Sequence, residues 1–209
     1  MIRSFIIKII VLCLVSINAF ALDKVLLFGD SLMAGYGLPN EQHLYVVLED
    51  DLKKSGHMIK VVNGSVSGST SSAGLNRADW TLSEPDIDLM VLGLGANDML
   101  RGIKPNETEK NLEKIILAAK EKNIHIVLAG MYAPTTHGSQ FKKEFDKIYP
   151  DLAKKHDLTL IPFLLEGVAL NPKLNQSDGI HPNFEGTVVV SKTIKNTILK
   201  LKLISDKQY

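Results

Sequence analysis

Three residues of this 209-residue chain have side chains of the types that acyl transfer requires. Ser31 offers a hydroxyl nucleophile, His181 an imidazole that can take its proton, and Asp178 a carboxylate that can orient the imidazole. The three-residue offset between Asp178 and His181 allows one short loop to supply both groups. Ser31 and Asp178 also have structural alternatives, since Ser31, like Asp30 before it, is a good helix cap and Asp178 could bind a loop amide. The choice depends on whether the fold brings these residues together.

Ser31 lies directly after a segment typical of a buried strand in a parallel sheet. Residues 25–28 are four apolar residues in a row, and Gly29 then permits a sharp turn. Further strands are predicted at residues 59–63, 89–94, 124–129 and 158–161. Helices are predicted at residues 42–55, 71–82, from Pro105 onward, 140–156 and 184–203. This alternation predicts an α/β domain, in which a five-stranded parallel sheet with right-handed crossovers has helices on both faces.

Polar or small residues follow several of the predicted strands. Gly68 comes after the second strand and Asn97 after the third, while Asp178 and His181 lie in a long loop after the fifth. Because the carboxyl ends of parallel strands share one edge, we expect these residues to converge with Ser31. Glycine at position 68 suits a site where the backbone must approach the substrate closely, although glycine is also a common turn residue. Asn97 offers two uncharged donors, although it could equally cap a helix.

Four short blocks in order carry a family resemblance. They are Phe-Gly-Asp-Ser-Leu at residues 28–32, Asn-Gly-Ser-Val-Ser-Gly at 63–68, Gly-Ala-Asn-Asp at 95–98 and Asp-Gly-Ile-His-Pro at 178–182. The chain resembles the GDSL, or SGNH, hydrolase superfamily over essentially its whole length after the leader. Within it, residues 35–39 and 97–102 are similar to the group of periplasmic acyl thioesterases, lysophospholipases and arylesterases.

The resemblance implies a three-layer α/β/α sandwich of the flavodoxin-like type. It also implies that Ser31 attacks the acyl carbonyl, that His181 accepts and returns the proton, and that Asp178 orients the imidazole. The oxyanion hole would then be the backbone amides of Ser31 and Gly68 and the side-chain amide of Asn97. No cofactor is expected. The implied activity is that of an esterase or thioesterase on small-molecule acyl thioesters, lysophospholipids or aryl esters.

Two other functions use the same features. The same catalytic groups would serve a deacetylase of carbohydrates or small esters, and a non-catalytic binding module could retain the fold and a pocket. The presence of all three groups disfavours the binding module, because binding alone does not require them. An acyl substrate needs mainly apolar contacts beside the nucleophile. The candidates are Asp30, Leu32, Met33, Met131, Tyr132 and Ile180.

The first 21 residues have the pattern of a removable signal peptide. Arg3 and Lys8 lead into an apolar run at residues 9–15, and Ala19-Phe20-Ala21 resembles a cleavage site. A permanent anchor is the alternative, but the run is short for a bilayer. We therefore expect an exported protein, periplasmic or secreted, without a stable membrane anchor. Residues 22–209 should form a single domain.

Charge and cysteine content exclude several functions. Removal of residues 1–21 leaves 22 Lys and Arg against 23 Asp and Glu, which changes the formal net charge from +1 to −1. This near-neutral balance argues against nucleic acid as the main partner. The single cysteine, Cys13, lies in the predicted leader, so the mature chain would have no disulfide, catalytic thiol or cysteine-zinc site. No coiled-coil pattern is visible, and a monomer is expected.

Overall fold

The computed structural model describes residues 22–201, and the predicted signal peptide lies outside them. Its five strands all run parallel and are hydrogen-bonded in the order β2-β1-β3-β4-β5. They are β1 (Lys24–Gly29), β2 (Lys60–Asn63), β3 (Leu89–Gly93), β4 (His125–Ala129) and β5 (Thr159–Ile161). The predicted parallel sheet is confirmed, and each strand boundary agrees with the prediction to within one residue.

Helices connect the strands and cover both faces of the sheet. They are α1 (Ser31–Ala34), α2 (Leu44–Lys54), α3 (Ser71–Asn76), α4 (Ala78–Thr81), α5 (Ala96–Leu100), α6 (Pro105–Glu121), α7 (Ser139–Phe145), α8 (Ile148–His156) and α9 (Phe184–Ile198). Helices α2 and α9 pack against each other on one face, while α3, α6 and α8 form the opposite layer. The chain therefore has the predicted three-layer α/β/α architecture. Within residues 22–201, no helix combines the length and the apolar character needed to cross a membrane.

The sheet is buried because its central strands carry apolar side chains on both faces. Residues 25–28 of β1 and 89–92 of β3 are all at most 2% exposed. The two strands are neighbours, and Gly29 pairs in register with Gly93 at their carboxyl ends. Chain connections leave β1 and β3 in opposite directions, so a crevice opens between those ends. Ser31 and Asn97 follow these two strands.

Two predicted helices are each divided into two shorter ones. The segment predicted as one helix at residues 71–82 breaks at Arg77, whose guanidinium donates to the carbonyls of Gly29 and Gly64. The segment predicted at 140–156 breaks after Phe145, where the Asp146 carboxylate accepts the backbone N–H of Ala133. In both cases a polar side chain at the break makes a hydrogen bond with the backbone of a distant segment. The predicted end of the last helix at residue 203 lies outside the described residues.

Candidate active site

Ser31 is the first residue of α1 and lies two residues after the end of β1. The carboxylate of Asp30, not the Ser31 hydroxyl, caps this helix by accepting the backbone N–H of Leu32 at 3.0 Å. The capping alternative therefore holds for Asp30 and leaves the Ser31 hydroxyl available for another partner. Gly35 ends the helix after one turn, in a left-handed conformation with φ +82°.

Met33 fixes this short helix on the end of the sheet. Its thioether lies over the paired glycines at the ends of β1 and β3, where a Cβ on Gly29 or Gly93 would come within 2.6 Å of Met33. The side chain is 0% exposed, which places this predicted substrate contact in the core. The two glycines thus make room for a side chain that holds the Ser31 turn in place.

The hydroxyl of Ser31, the imidazole of His181 and the carboxylate of Asp178 form a hydrogen-bonded line. Ser31 Oγ lies 2.9 Å from His181 Nε2, and His181 Nδ1 lies 2.7 Å from Asp178 Oδ2. Asp178 Oδ1 also accepts the backbone N–H groups of Ile180 and His181 at 2.9 and 3.0 Å. The structure thus brings the three predicted residues together across 150 residues of sequence.

The hydrogen bonds around Asp178 determine its charge. The backbone N–H of His181, then its ring, then the N–H of Ile180 lower the pKa of Asp178 from 3.8 to about 2. The carboxylate is therefore ionised at neutral pH and can accept a hydrogen bond from the protonated Nδ1 of His181. A neutral imidazole then presents the lone pair of Nε2 to the Ser31 hydroxyl, as a general base requires.

The three predicted oxyanion donors have free hydrogen-bonding capacity. Within residues 22–201, the backbone N–H groups of Ser31 and Gly68 donate no hydrogen bond. The side-chain amide of Asn97, in the first turn of α5, donates only a long contact of 3.4 Å to Asp30 Oδ2. Gly68 has φ +78°, and its carbonyl accepts a hydrogen bond of 3.1 Å from Arg101. The left-handed backbone conformation at this position favours glycine.

A buried carboxylate ties the elements that carry two of these donors together. Asp98, next to Asn97, is 0% exposed and accepts the backbone N–H of Ser71 at 2.7 Å, the Ser71 hydroxyl and the Thr108 hydroxyl. Ser71 lies three residues after Gly68. One side chain therefore anchors the start of α5, the start of α3 and helix α6 around a common point.

The remaining predicted substrate contacts fall into two groups. Asp30, Leu32 and Met131 are buried, and the gap that they border has no room for a water molecule. Tyr132 and Ile180 are 45% and 47% exposed, so they lie at the surface.

Sequence reasoning assigned no role to three residues that contact this site. Tyr36 packs its ring against His181, Gln176 donates to the Tyr36 carbonyl, and Arg101 binds the carbonyl of Gly68. The sequence signal for Tyr36 is its position between Gly35 and Gly37. Arg101 lies in the segment 97–102 that carries part of the family resemblance, whereas Gln176 has no signal of its own, because its partner is remote in sequence.

Transfer of an acyl group to a hydroxyl is the reaction that this line of groups can perform. The fold and the site together define the class of carboxylic ester hydrolases. The chain belongs to the GDSL-like lipase/acylhydrolase family, whose model matches residues 27–188.

Characterised relatives agree with this class. The chain is 36% identical over 180 residues to an arylesterase of Vibrio mimicus, covering 86% of this chain and 90% of the relative. It is 38% identical over 172 residues to thioesterase 1/protease 1/lysophospholipase L1 of Escherichia coli K12, covering 82% and 81%. Among solved structures, the SGNH-hydrolase family esterase AlinE4 is 42% identical, with a TM-score of 0.73 over 85% of this chain and 95% of that one. The fold and the family predicted from the four sequence blocks are confirmed.

Proposed function

We propose that the protein hydrolyses acyl esters and thioesters through a covalent acyl-enzyme on Ser31. The observation that carries this proposal is the line from Ser31 Oγ to His181 Nε2 and from His181 Nδ1 to Asp178 Oδ2, with both distances below 3 Å. A non-catalytic module would not need this order of groups, because each one serves a different step of proton transfer.

The proton path follows from the charges and tautomer of the site. Ser31 Oγ attacks the acyl carbonyl while its proton passes to His181 Nε2, and Asp178 stabilises the resulting imidazolium. The imidazolium then gives that proton to the leaving alcohol or thiol as the bond to the acyl carbon breaks. A water molecule then enters, gives a proton to Nε2 and attacks the acyl carbon. The imidazolium returns this proton to Ser31 Oγ as the bond between Oγ and the acyl carbon breaks, which releases the acid and restores Ser31.

The negative charge that develops on the carbonyl oxygen needs donors at the same edge. The backbone amides of Ser31 and Gly68 and the side-chain amide of Asn97 are the groups we assign to it. The unused hydrogen-bonding capacity of the half-buried Ser31 and Asn97 supports this assignment, because donors shielded from water are normally paired. The N–H of Gly68 is at the surface and is free to meet a substrate. The contacts of Arg101 with Gly68 and of Asp98 with Ser71 hold these donors before the substrate arrives.

The substrate class follows from the family and from the surface beside Ser31. Relatives named arylesterase and thioesterase 1/protease 1/lysophospholipase L1 support aryl esters, acyl thioesters and lysophospholipids as the class to test. We assign the acyl chain to the surface near Ile180 and Tyr132, whose exposed apolar side chains would lose contact with water on binding.

We also propose that residues 1–21 direct export and are then removed, leaving residues 22–209 as a monomeric enzyme in the periplasm or the medium. The sequence pattern of a charged start, an apolar run and Ala19-Phe20-Ala21 supports this. Mass spectrometry of the protein purified from its natural envelope fraction tests it. A chain that still carries its first 21 residues would contradict it.

The catalytic proposal is tested with purified residues 22–209, a Ser31→Ala variant and a serine-directed phosphonate. The wild-type protein should hydrolyse p-nitrophenyl esters and acyl thioesters, and one phosphonate should attach to Ser31. Ser31→Ala should lose both properties, whereas Ser72→Ala, which alters an exposed serine of α3, should retain them. Normal turnover by folded Ser31→Ala would refute the assignment. A matched series of acetyl to palmitoyl esters and thioesters then shows whether kcat/KM rises with chain length, as an acyl-chain surface requires.

A further inference from the structure

Tyr36 lies between two glycines in the loop after α1, and the structure explains both glycines. Gly35 and Gly37 have φ values of +82° and +74°. A Cβ on Gly35 would come within 2.3 Å of the His43 ring, and one on Gly37 within 2.3 Å of Gln176 Oε1. The loop that presents Tyr36 is therefore held closely between one side chain at the start of α2 and another from the loop before His181.

The aromatic ring of Tyr36 lies against the imidazole of His181. Their ring centroids are 4.6 Å apart and the planes are inclined by 40°. The hydrogen bond from His181 Nδ1 to Asp178 Oδ2 fixes one edge of the imidazole, but the ring can still tilt about that bond. The Tyr36 ring occupies space into which the imidazole would tilt. It therefore helps to keep Nε2 directed at Ser31.

Gln176 connects the Tyr36 loop with the backbone around His181. Its side-chain amide donates to the Tyr36 carbonyl at 2.7 Å and to the Pro182 carbonyl at 2.9 Å, so both amide protons are used. Its backbone N–H donates to the carbonyl of His181 at 2.8 Å. One residue thus bonds the histidine loop at two points and reaches across to the loop that carries the aromatic ring.

The hydrogen bond between Gln176 and Tyr36 links the loop that follows Ser31 to the loop that carries His181. In the part of the chain that the structure describes, two hydrogen bonds join residues 30–38 to residues 175–183. One joins Ser31 to His181 and must be broken in each catalytic cycle, because its proton moves. The other joins Gln176 to Tyr36 and takes no part in the chemistry. It can therefore hold the two loops together while the first bond is absent.

We propose that Gln176 is a positioning residue for His181, acting through Tyr36. This role rests on the proposed function, because it assumes that His181 moves the Ser31 proton. By joining the Tyr36 and Pro182 carbonyls, Gln176 keeps the aromatic ring against the imidazole throughout the reaction. A displacement of about 1 Å in a reacting group can lower the rate by about 10²-fold, so the loss of this contact should slow the chemical steps.

The sharpest test is Gln176→Glu, which preserves size but replaces the donating amide with oxygens that face two carbonyl oxygens. We expect kcat to fall by about 10- to 100-fold while KM stays within about twofold, because the substrate surface is untouched. Phosphonate labelling of Ser31 should slow by a similar factor. Gln42→Glu makes the same chemical change at a glutamine whose side chain has no hydrogen-bond partner within residues 22–201, and it should behave as wild type.

Three further variants separate positioning from stability. Tyr36→Ala should slow kcat like Gln176→Glu, and Tyr36→Phe, which keeps the ring, should recover most of that loss. The double variant Tyr36→Ala/Gln176→Ala should lose no more than the larger of the two single losses, because both residues act on the same group. The melting temperature of each variant is measured alongside.

The outcomes distinguish this proposal from the catalytic one. Activity retained by Ser31→Ala refutes the proposed function itself, whatever the Gln176 variants do. If Ser31→Ala is inactive while Gln176→Glu and Gln176→Ala keep kcat within twofold, the positioning role is refuted alone. A lower melting temperature in the Gln176 variants together with normal turnover in Tyr36→Ala would assign Gln176 to stability and also overturn the proposal.

Discussion

Replacing Asp30 with asparagine should remove a pH-dependent loss of stability. Asp30 is 1% exposed, and its carboxyl accepts one normal hydrogen bond, from the backbone of Leu32, and a long one from Asn97. Burial raises the pKa of Asp30 from 3.8 to about 6, against the smaller lowering effects of these hydrogen bonds and of His181. The residue next to the candidate nucleophile is thus a carboxyl group that the fold holds more readily in its neutral form.

The sign and size of the effect follow from these two pKa values. Between about pH 4 and pH 6 the folded protein binds the Asp30 proton more tightly than the unfolded chain does. Stability therefore falls as the pH rises through this range, and the loss is complete above it. At about 1.4 kcal/mol per pKa unit, a rise from 3.8 to about 6 corresponds to about 3 kcal/mol.

Urea unfolding at several pH values between 4 and 8 measures this directly. Relative to wild type, the free energy of unfolding of Asp30→Asn should increase by about 2–3 kcal/mol from pH 4 to pH 8. Asp50→Asn removes one exposed carboxylate from α2 and serves as the matched control. If the stability curves of wild type and Asp30→Asn run parallel across this range, the reasoning about the buried carboxyl is refuted.

Three other substitutions test separate parts of the site. Asn97→Ala should lower kcat by about 10²–10³-fold in the p-nitrophenyl ester assay if its amide stabilises the oxyanion, and an unchanged kcat would assign Asn97 to structure. Asp178→Asn should lower kcat by about 10⁴-fold, because its amide would hold the His181 tautomer whose Nε2 cannot accept the Ser31 proton; full activity at pH 8 would contradict that proton path. Met33→Ala should reduce the free energy of unfolding by about 2–5 kcal/mol, measured by urea titration, whereas Met33→Leu should cost less than about 1.5 kcal/mol; a small loss in the alanine variant would mean that this side chain is not part of the core.

The local sequence was sufficient to predict the strands and the edge at which the polar groups meet. Runs such as residues 25–28 are apolar throughout, which is typical of strands covered on both faces, and the residues after them are small or polar. Since parallel strands place all their carboxyl ends on one edge, the approach of Ser31, Asn97 and His181 could be predicted without knowing the strand order. The sequence blocks also sufficed to predict the family.

Helix boundaries were predicted less well where distant groups compete for the backbone. Helical spacing continues through residues 71–82, yet Arg77 interrupts it with hydrogen bonds to Gly29 and Gly64. Periodicity describes one segment at a time and contains no information about acceptors on the ends of β1 and β2. The break between α3 and α4 was therefore beyond sequence reasoning.

The tertiary structure alone decided how the site is supported. Met33 was predicted to contact the substrate from the loop after β1, but Gly29 and Gly93, 64 residues apart, leave the space that it fills in the core. In the same way, Gln176 meets the Tyr36 carbonyl across 140 residues. Composition and spacing determine which residues can reach the edge of the sheet. Which of these residues contact one another depends on how segments that are distant in sequence pack together to within a few ångströms. Only the folded chain determines that packing.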